Sequence, residues 1–325
     1  MPLIEEREVH SYTSMRVSHV ATGFLFGCLA ATLMAEQSTP FDGRWDVTLV
    51  TAKGIRPQWM EVTHKGRALA VRIQPPVGSV HDASEVKITG NRLTLIAAPA
   101  NANRPQVSWE VEAEGDSLNG TAYAGTDALG KLTGRRAPLL DRKPPVHWTN
   151  PEPLFNGNDL SGWQPTDPDN NHWKARTREL VNDAAGANLR TTRTFDDFKL
   201  HVEFNCPEGG NSGIYLRGRY EVQIEYEPPG TDDSYHSMGA IYGFVPPRTQ
   251  LPRKPGEWET YDITLVGRQV TVVRDGTTII DNQEIPGITG GALDSNESEP
   301  GPILLQGDHT GGLRFRNITV AIPRR

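Results

Sequence analysis

Cysteine is nearly absent from the sequence, which contains only Cys28 and Cys206 among its 325 residues. Cys28 lies in an apolar N-terminal segment that we expect to be removed, so Cys206 remains alone and cannot form an internal disulfide bond. A thiol nucleophile needs a partner base, and the spacing identifies none for Cys206. The sequence therefore predicts that Cys206 is a small packing residue near the end of a strand.

The sequence also lacks an excess of basic residues and long helical patterns. It has 33 Lys and Arg against 40 Asp and Glu, a net charge of −7. Proteins that bind nucleic acid are usually basic, so DNA and RNA are not expected partners. The 32 glycines and 25 prolines favour turns and short strands. The length is sufficient for two domains.

The N-terminal segment 1–35 has the pattern of a secretory signal peptide. An apolar run follows Met15 and ends in small residues near Ala35. The run is too short for a stable membrane span, and acidic residues before Met15 favour Met15 as the true start. The run continues past Cys28, which disfavours a lipoprotein anchor there. We expect an exported protein, periplasmic or secreted.

Residues 36–140 alternate between apolar and polar side chains and are interrupted by glycine and asparagine turns. This pattern predicts an antiparallel meander that forms a small β-barrel or half-barrel. Trp45, Trp59 and Trp109 are expected in its core. A proline-rich linker is predicted at residues 141–150.

Residues 151–325 also read as all-β. In the segment around Phe198–Phe204, every second residue is apolar, and strand patterns recur about every ten residues. An Asp-Gly turn within VTVVRDGTTIID predicts a hairpin. The natural architecture for this spacing is a two-sheet jelly-roll sandwich.

The stretch GGNSGIYLRGRYEVQIEYE, at residues 209–227, is predicted to form two strands joined by a turn. Period-two alternation places Glu221, Gln223 and Glu225 on one face of the second strand. Such a row of carboxylate, amide and carboxylate is either a solvated face or a binding site.

Six segments in order carry a resemblance to a known family: LFNGNDLSGW, GGNSGIYLRG, YEVQIE, GAIYG, PGEWETYDITLVG and GPILLQGDHTGGLRFRNI. Together, over about residues 150–322, they resemble the 3-keto-disaccharide hydrolase domain family. The N-terminal β unit resembles an accessory domain of some members. The resemblance implies a concanavalin-like jelly roll in an exported bacterial enzyme that cleaves 3-keto-glycosides, which are saccharide substrates, by elimination and hydration.

That chemistry requires specific groups. A ketone at C3 makes the C2 proton acidic, so a base that works near neutral pH can remove it. A donor or cation must stabilise the enolate oxygen, and an acid can protonate the leaving oxygen. With the resemblance, His309 in the DHTGG turn is the expected base, since an imidazole titrates near neutral pH. Asp308 or Glu221 would orient it, although His309 could also cap its own turn. His236 is a second candidate base.

Further residues are expected to bind the sugar. Arg217 is expected on the same strand face as Tyr215, as a clamp for an oxyanion or hydroxyl, or in a salt bridge to Glu221 or Glu203. The other predicted substrate contacts are Asn211, Gln223, Glu225, Gln306, Glu203, Tyr215 and Tyr242. For Asn211 the equal alternative is that its side chain holds a special turn, and for Tyr242 it is simple packing.

A divalent metal is left open by the sequence. Glu221, Glu225, Asp308 and His309 contain enough oxygen and nitrogen ligands for one ion. They form no compact ligand motif, and no other cofactor is expected. The oligomeric state is also left open.

Two alternatives remain at this point. One is a retaining β-glucanase in which Glu221 and Glu225 act together. Its strand motif has a central Asp where this chain has Gln223, and Cα atoms four residues apart on a strand are separated by ~13 Å, whereas the carboxyl groups must lie about 5 Å apart. The other is a glycan-binding module without catalysis.

Overall fold

Strands dominate the part of the chain that this computed structural model describes, namely residues 38–66, 68–99, 103–226 and 234–324. The expected signal segment 1–35, with Met15 and Cys28, lies outside these residues. Within them the sole helix is a 3₁₀ turn at Pro168–Asn170, which the Asp167 side chain caps. None of the described helices is long and apolar enough to cross a membrane.

The first sheet has nine antiparallel strands in the order β4-β3-β2-β1-β9-β8-β7-β6-β5. The two strands at its opposite ends, β4 and β5, are separated in sequence by Ala83 alone, so the sheet curls into a nearly closed barrel. This confirms the predicted N-terminal barrel or half-barrel. The strands are β1 Gly43–Thr51, β2 Gly54–Lys65, β3 Ala68–Gln74, β4 His81–Asp82, β5 Ser84–Thr89, β6 Arg92–Ala98, β7 Val107–Glu114, β8 Ser117–Ala124 and β9 Asp127–Arg136.

The barrel core contains Trp45 and Trp109, as expected, but Trp59 is an exception. Trp59 is fully buried and belongs to the hydrophobic core of the second half of the chain. Its ring meets Phe244 edge to face, with centroids 5.5 Å apart. The prediction that Trp59 fills the barrel core was wrong. The hydrophobic pattern predicts that Trp59 is buried, but it does not show whether that face of β2 points into the barrel or towards the jelly roll.

The second half forms two sheets that enclose one core, which confirms the jelly-roll sandwich. The larger sheet has the order β12-β13-β22-β15-β18-β19-β20, with β10 paired to β22, and the smaller has the order β11-β14-β21-β16-β17. The strands are β10 Glu152–Pro153, β11 Trp163–Pro165, β12 Trp173–Arg176, β13 Glu179–Asn182, β14 Leu189–Thr191, β15 Phe198–Asn205, β16 Asn211–Leu216, β17 Tyr220–Glu225, β18 Trp258–Val266, β19 Gln269–Arg274, β20 Thr277–Glu284, β21 Leu304–Leu305 and β22 Leu313–Ala321.

Period-two patterning explains how these strands pack. The apolar residues of β15, including Phe198 and Phe204, are fully buried between the sheets. The predicted hairpin forms between β19 and β20, with Asp275 and Gly276 in the left-handed conformation that its turn requires. Cys206 follows β15 and is buried, and burial raises the pKa of its thiol to about 12. A thiol with so high a pKa suits the predicted packing role.

Candidate active site

The register of the β16–β17 hairpin gathers the polar residues of the central stretch on one face. Tyr215 lies opposite Glu221, and Asn211 lies opposite Glu225. Next to the first of these pairs, Ile214 lies opposite Val222, and both point into the jelly-roll core. Because directly opposed residues of an antiparallel pair share a face, these polar side chains line the outer face of the smaller sheet.

Gly213 leaves space for the Glu221 carboxylate. A Cβ atom built on Gly213 would lie 2.3 Å from Oε1 of Glu221, far inside van der Waals contact. The carboxylate therefore lies directly over the Gly213 backbone. Any larger residue at position 213 would have to displace it.

The Tyr215 hydroxyl joins three polar groups. It lies 2.9 Å from Oε2 of Glu221 and 2.8 Å from the carbonyl oxygen of Gly290. The Gln306 side-chain nitrogen donates to it over 3.3 Å. A hydroxyl has one proton, so it can donate either to Glu221 or to Gly290 but not to both at once.

Glu221 is 3% exposed. Burial raises the pKa of its carboxyl to about 8, although the Tyr215 hydrogen bond and the nearby His309 lower it. The charges of Asp308 and Glu225 add to the upward shift. Burial also raises the pKa of the Tyr215 hydroxyl well above its ordinary value, with Glu221 as the next cause. Below about pH 8, Glu221 is therefore a neutral acid that can donate a proton or hydrogen bond.

Two buried amides lie on the same face. The Gln223 nitrogen donates to a carboxylate oxygen of Glu225 over 3.1 Å. The side-chain oxygens of Gln223 and Gln306 are buried and accept no hydrogen bond within the described residues. Buried polar atoms are normally paired, so each of these two oxygens lacks a donor that a water molecule or a ligand hydroxyl would have to supply.

Asp308 and His309 lie in the loop after β21. Nδ1 of His309 is 2.9 Å from Oδ1 of Asp308, and both side chains are 49% exposed. They are close enough to Glu221 for their charges to act on its pKa in opposite directions. The structure thus brings the three residues expected to be catalytic into one neighbourhood, with His309 on the solvent side and Glu221 beneath the surface.

The segment around Tyr242 extends this face beyond β17. The Tyr242 amide donates to the Glu221 carbonyl over 3.1 Å, and Val222 forms a β-bridge with Ile241. The Tyr242 ring lies 4.7 Å, centroid to centroid, from the imidazole of His236. Both aromatic residues therefore lie beside the Glu221 strand.

The expected position of Arg217 was wrong. β16 ends at Leu216, and Arg217 adopts the left-handed conformation, with φ of 55°, in the turn that follows. Its side chain is fully buried and donates to the carbonyl oxygens of Glu297 and Glu299. Neither the clamp nor the salt bridge to Glu221 or Glu203 is formed.

Glu203 also lies away from the site. It belongs to β15 in the larger sheet, where Arg316 donates to it over 2.6 Å and Asn317 over 2.6 Å. The sequence showed that Glu203 points away from the core, but not which of the two sheets carries it.

Two polar residues that the sequence analysis did not single out, Arg190 and Gln164, share the face of Glu221. Leu304 lies opposite Tyr215 and also opposite Arg190, and Arg190 lies opposite Gln164. A row of opposed residues therefore runs from Glu221 through Tyr215 to the Arg190 guanidinium. The short strands β11 and β14 offer too few residues for a sequence pattern to reveal this.

The four residues considered as ligands of a possible metal do not form a cluster. Within the described ranges, no group of three or more His, Cys, Asp or Glu side chains is arranged to hold a metal ion. Glu221, Glu225, Asp308 and His309 therefore do not make up a common coordination site.

The sequence profile of the 3-keto-alpha-glucoside-1,2-lyase-like domain matches residues 150–321, more than half of the chain. The chain belongs to this family. The membership expected from the sequence motifs is thus confirmed, and the match contains both sheets of the jelly roll, with Tyr215, Glu221, Gln306 and His309. No match to a curated protein was found.

Three of the solved structures that resemble this family member come from Parabacteroides distasonis. One, named as a candidate glycosyl hydrolase, is 28% identical and covers 55% of this chain and 92% of its own, with a TM-score of 0.46. A second of the same description is 25% identical and covers 54% of this chain and 98% of its own, with a TM-score of 0.41. A third is 18% identical, with coverage of 55% and 94% and a TM-score of 0.44.

Proposed function

We propose that the chain cleaves the glycosidic bond of 3-keto-glycosides through removal of the C2 proton, elimination at C1 and hydration. The observation that carries this proposal is the buried Glu221–Tyr215 pair. It lies near His309 on a face where two amide oxygens have no hydrogen-bond partner among the described residues. Family membership supports the substrate class.

In the first step His309, oriented by Asp308, takes the C2 proton, and the electron pair of the C–H bond moves into the C2–C3 enolate. Neutral Glu221 donates a hydrogen bond from Oε1 to the enolate oxygen. The Tyr215 hydroxyl donates to Oε2 of Glu221 as negative charge builds up on the acid. A buried donor that is neutral at pH 7 stabilises an oxyanion far more than an exposed one.

In the second step the enolate collapses to a C1–C2 double bond while the C1–O bond breaks. The departing oxygen takes a proton from water. The hydroxide left by that water then adds to C1 while protonated His309 returns a proton to C2, so the net reaction is hydrolysis and His309 is neutral again. Release of the unsaturated sugar before hydration would make the same site a lyase.

Gln223, Gln306 and Arg190 are proposed to bind the sugar hydroxyls. Their side chains share the face of Glu221, and the two amide oxygens provide acceptors. Tyr242 is proposed as the ring against which the sugar packs, since aromatic rings commonly pack against apolar faces.

Three substrates test the proposal: a 3-keto-glucoside, its unoxidised parent and a β-glucan, each incubated with the purified full-length protein. We expect turnover of the keto substrate alone. Cleavage of the parent or the β-glucan would contradict the proposal and favour a retaining glycosidase that uses Glu221 and Glu225. Binding without turnover of any of the three would favour a glycan-binding module.

Export is a separate proposal that rests on the signal-like segment 1–35. We expect the protein in the periplasm or the medium, with a mature N-terminus near residue 36. Mass spectrometry of the N-terminal peptide from the native cell tests this, and recovery of intact residues 1–35 from the cytoplasm would contradict it.

A further inference from the structure

The loop between β3 and β4, residues 75–80, leaves the N-terminal barrel and contacts the jelly roll. Gln74, at the end of β3, is fully buried and holds this loop from within. Its side-chain nitrogen donates to the carbonyl oxygens of Pro75 and Gly78, each over 2.8 Å. These two hydrogen bonds from one buried amide hold the loop backbone in place independently of its contacts with the jelly roll.

The first contact of the loop is with the backbone that supports Tyr215. The Gly291 amide donates to the Pro76 carbonyl over 2.9 Å. Gly290 packs so closely against the loop that a Cβ atom on it would lie 2.3 Å from the Gly78 carbonyl oxygen. The Gly290 carbonyl is the alternative acceptor for the Tyr215 hydroxyl. The loop therefore fixes the position of the group that competes with Glu221 for the Tyr215 proton.

The second contact is with the aromatic side of the site. The Ser79 hydroxyl forms a hydrogen bond with Nε2 of His236, whose ring packs against Tyr242. A Cβ atom on Gly243 would lie 3.2 Å from the Ser79 Cβ, so the backbone beside Tyr242 also touches the loop. Tyr242 in turn pairs through its amide with the Glu221 carbonyl.

The rest of the barrel fixes the loop against the same core. Trp59 on β2 is buried among jelly-roll residues and packs so tightly on Gly287 that a Cβ there would meet its indole nitrogen at 2.4 Å. Val80, at the end of the loop, also packs against the jelly-roll core. The loop that contacts the site is thus anchored on the N-terminal barrel.

We propose that the β3–β4 loop is a wall of the active site, in which Gln74 and Ser79 are positioning residues that set the geometry of Tyr215, Glu221 and Tyr242. The N-terminal barrel is then a part of the catalytic unit and not a separate binding module. Only the kinetic consequence of this inference rests on the proposed function. The positioning itself can be observed without turnover.

Hydrogen exchange of the full-length protein tests the positioning directly. In Gln74→Ala and Ser79→Ala proteins, we expect amide exchange to accelerate in peptides covering residues 239–245 and, for Gln74→Ala, also 288–293. Thr48→Ala is the matched control, because Thr48 forms a 2.6 Å hydrogen bond to Ser295 that likewise joins the barrel to the jelly roll. Unchanged exchange in both test variants, or equal acceleration in the control, would overturn the inference.

Kinetics with the 3-keto-glucoside give the second readout. Loss of one hydrogen bond behind the substrate-facing ring predicts a KM about tenfold higher in Ser79→Ala, with kcat within about twofold of wild type. Ser79→Thr keeps the hydroxyl and should restore KM, and Thr48→Ala should not change it. A KM that stays at the wild-type value in Ser79→Ala would contradict the positioning of Tyr242 by Ser79. Absence of turnover by wild type would instead contradict the proposed reaction, with the exchange result unaffected.

Discussion

The hydroxyl of Tyr215 lies 2.9 Å from Oε2 of Glu221, on the strand directly beside it. This hydrogen bond stabilises the ionised carboxylate, while burial of Glu221 favours the neutral acid. Burial is the larger effect and raises the pKa of Glu221 to about 8. The protonation state of Glu221 near neutral pH is therefore sensitive to each neighbour that contributes to the balance.

Tyr215→Phe removes the hydrogen bond that lowers the pKa of Glu221. A hydrogen bond to a charged group contributes about 1.5 kcal/mol, so the pKa should rise by about one unit. If neutral Glu221 is the active form, kcat/KM falls as pH rises through the pKa, and the fall should move to higher pH in the variant. A pH–rate profile measures this.

Tyr220→Phe is the matched control, because Tyr220 is also fully buried and its hydroxyl lies 2.7 Å from a carboxylate oxygen of Glu297. It should destabilise the fold without a shift in the profile. A rate that increases through pH 8 in wild type would contradict the donor role and identify ionised Glu221 as a base.

Gly213→Ala introduces a Cβ atom at the position of the Glu221 carboxylate. A displacement of about 1 Å in a catalytic group can reduce the rate about 100-fold, and we expect a loss of that size in kcat. The combination with Glu221→Gln should cost little beyond either change alone, since both act on one group. Fully additive losses would show that Gly213 acts elsewhere, for instance on the stability of the hairpin.

His309→Ala removes the proposed base. Loss of a general base typically reduces the rate by about 10²–10⁴-fold, and we expect kcat to fall in this range. His201→Ala is a close control, because Nδ1 of His201 lies 2.7 Å from Asp262 in a similar exposed pair on the larger sheet. Full activity of the His309→Ala protein would remove this residue from the mechanism.

Asp46→Asn should stabilise the protein at high pH. Asp46 is 3% exposed, and its carboxyl group faces the buried Glu297 carboxylate, to which the protonated form of Asp46 donates a hydrogen bond. Burial and the nearby charge of Glu297 raise the pKa of Asp46 strongly. The folded state then holds a proton that the unfolded chain releases above about pH 4, so stability falls as pH rises from there towards the raised pKa.

An asparagine side chain has no such proton to retain. The difference in unfolding free energy between the Asp46→Asn variant and wild type should therefore be at least about 1 kcal/mol more favourable to the variant at pH 9 than at pH 4. Urea unfolding at the two pH values measures this. Asp42→Asn should behave oppositely, because the hydrogen bonds from Thr39 and His64 outweigh partial burial and lower the pKa of Asp42. A pH-independent effect of Asp46→Asn would contradict the buried-acid account.

The sequence made the face of the central hairpin predictable. Strand periodicity alone places Glu221, Gln223 and Glu225 together, and the register then brings Tyr215 opposite Glu221. Arg217 was misplaced because period-two alternation was extended one residue past the end of β16, into a left-handed turn. Local patterns do not report where a strand stops with that accuracy.

The remaining features depend on contacts distant in sequence. Glu203 and Glu221 have the same outward pattern, and only the pairing of whole strands assigns them to different sheets. The role of Gly213 requires the cross-strand position of a side chain, and the roles of Gln74 and Ser79 require the packing of the barrel on the jelly roll. No local signal encodes such packing.

The fate of the C2 hydrogen is the most direct test of the proposed chemistry. A 3-keto-glucoside deuterated at C2 should react with a primary isotope effect on kcat/KM, and hydrolysis of the unlabelled substrate in D₂O should place deuterium at C2 of the keto sugar. A no-enzyme incubation corrects for spontaneous exchange. Cleavage with no isotope effect and no deuterium at C2 would contradict elimination, and with it the roles assigned to His309 and Glu221.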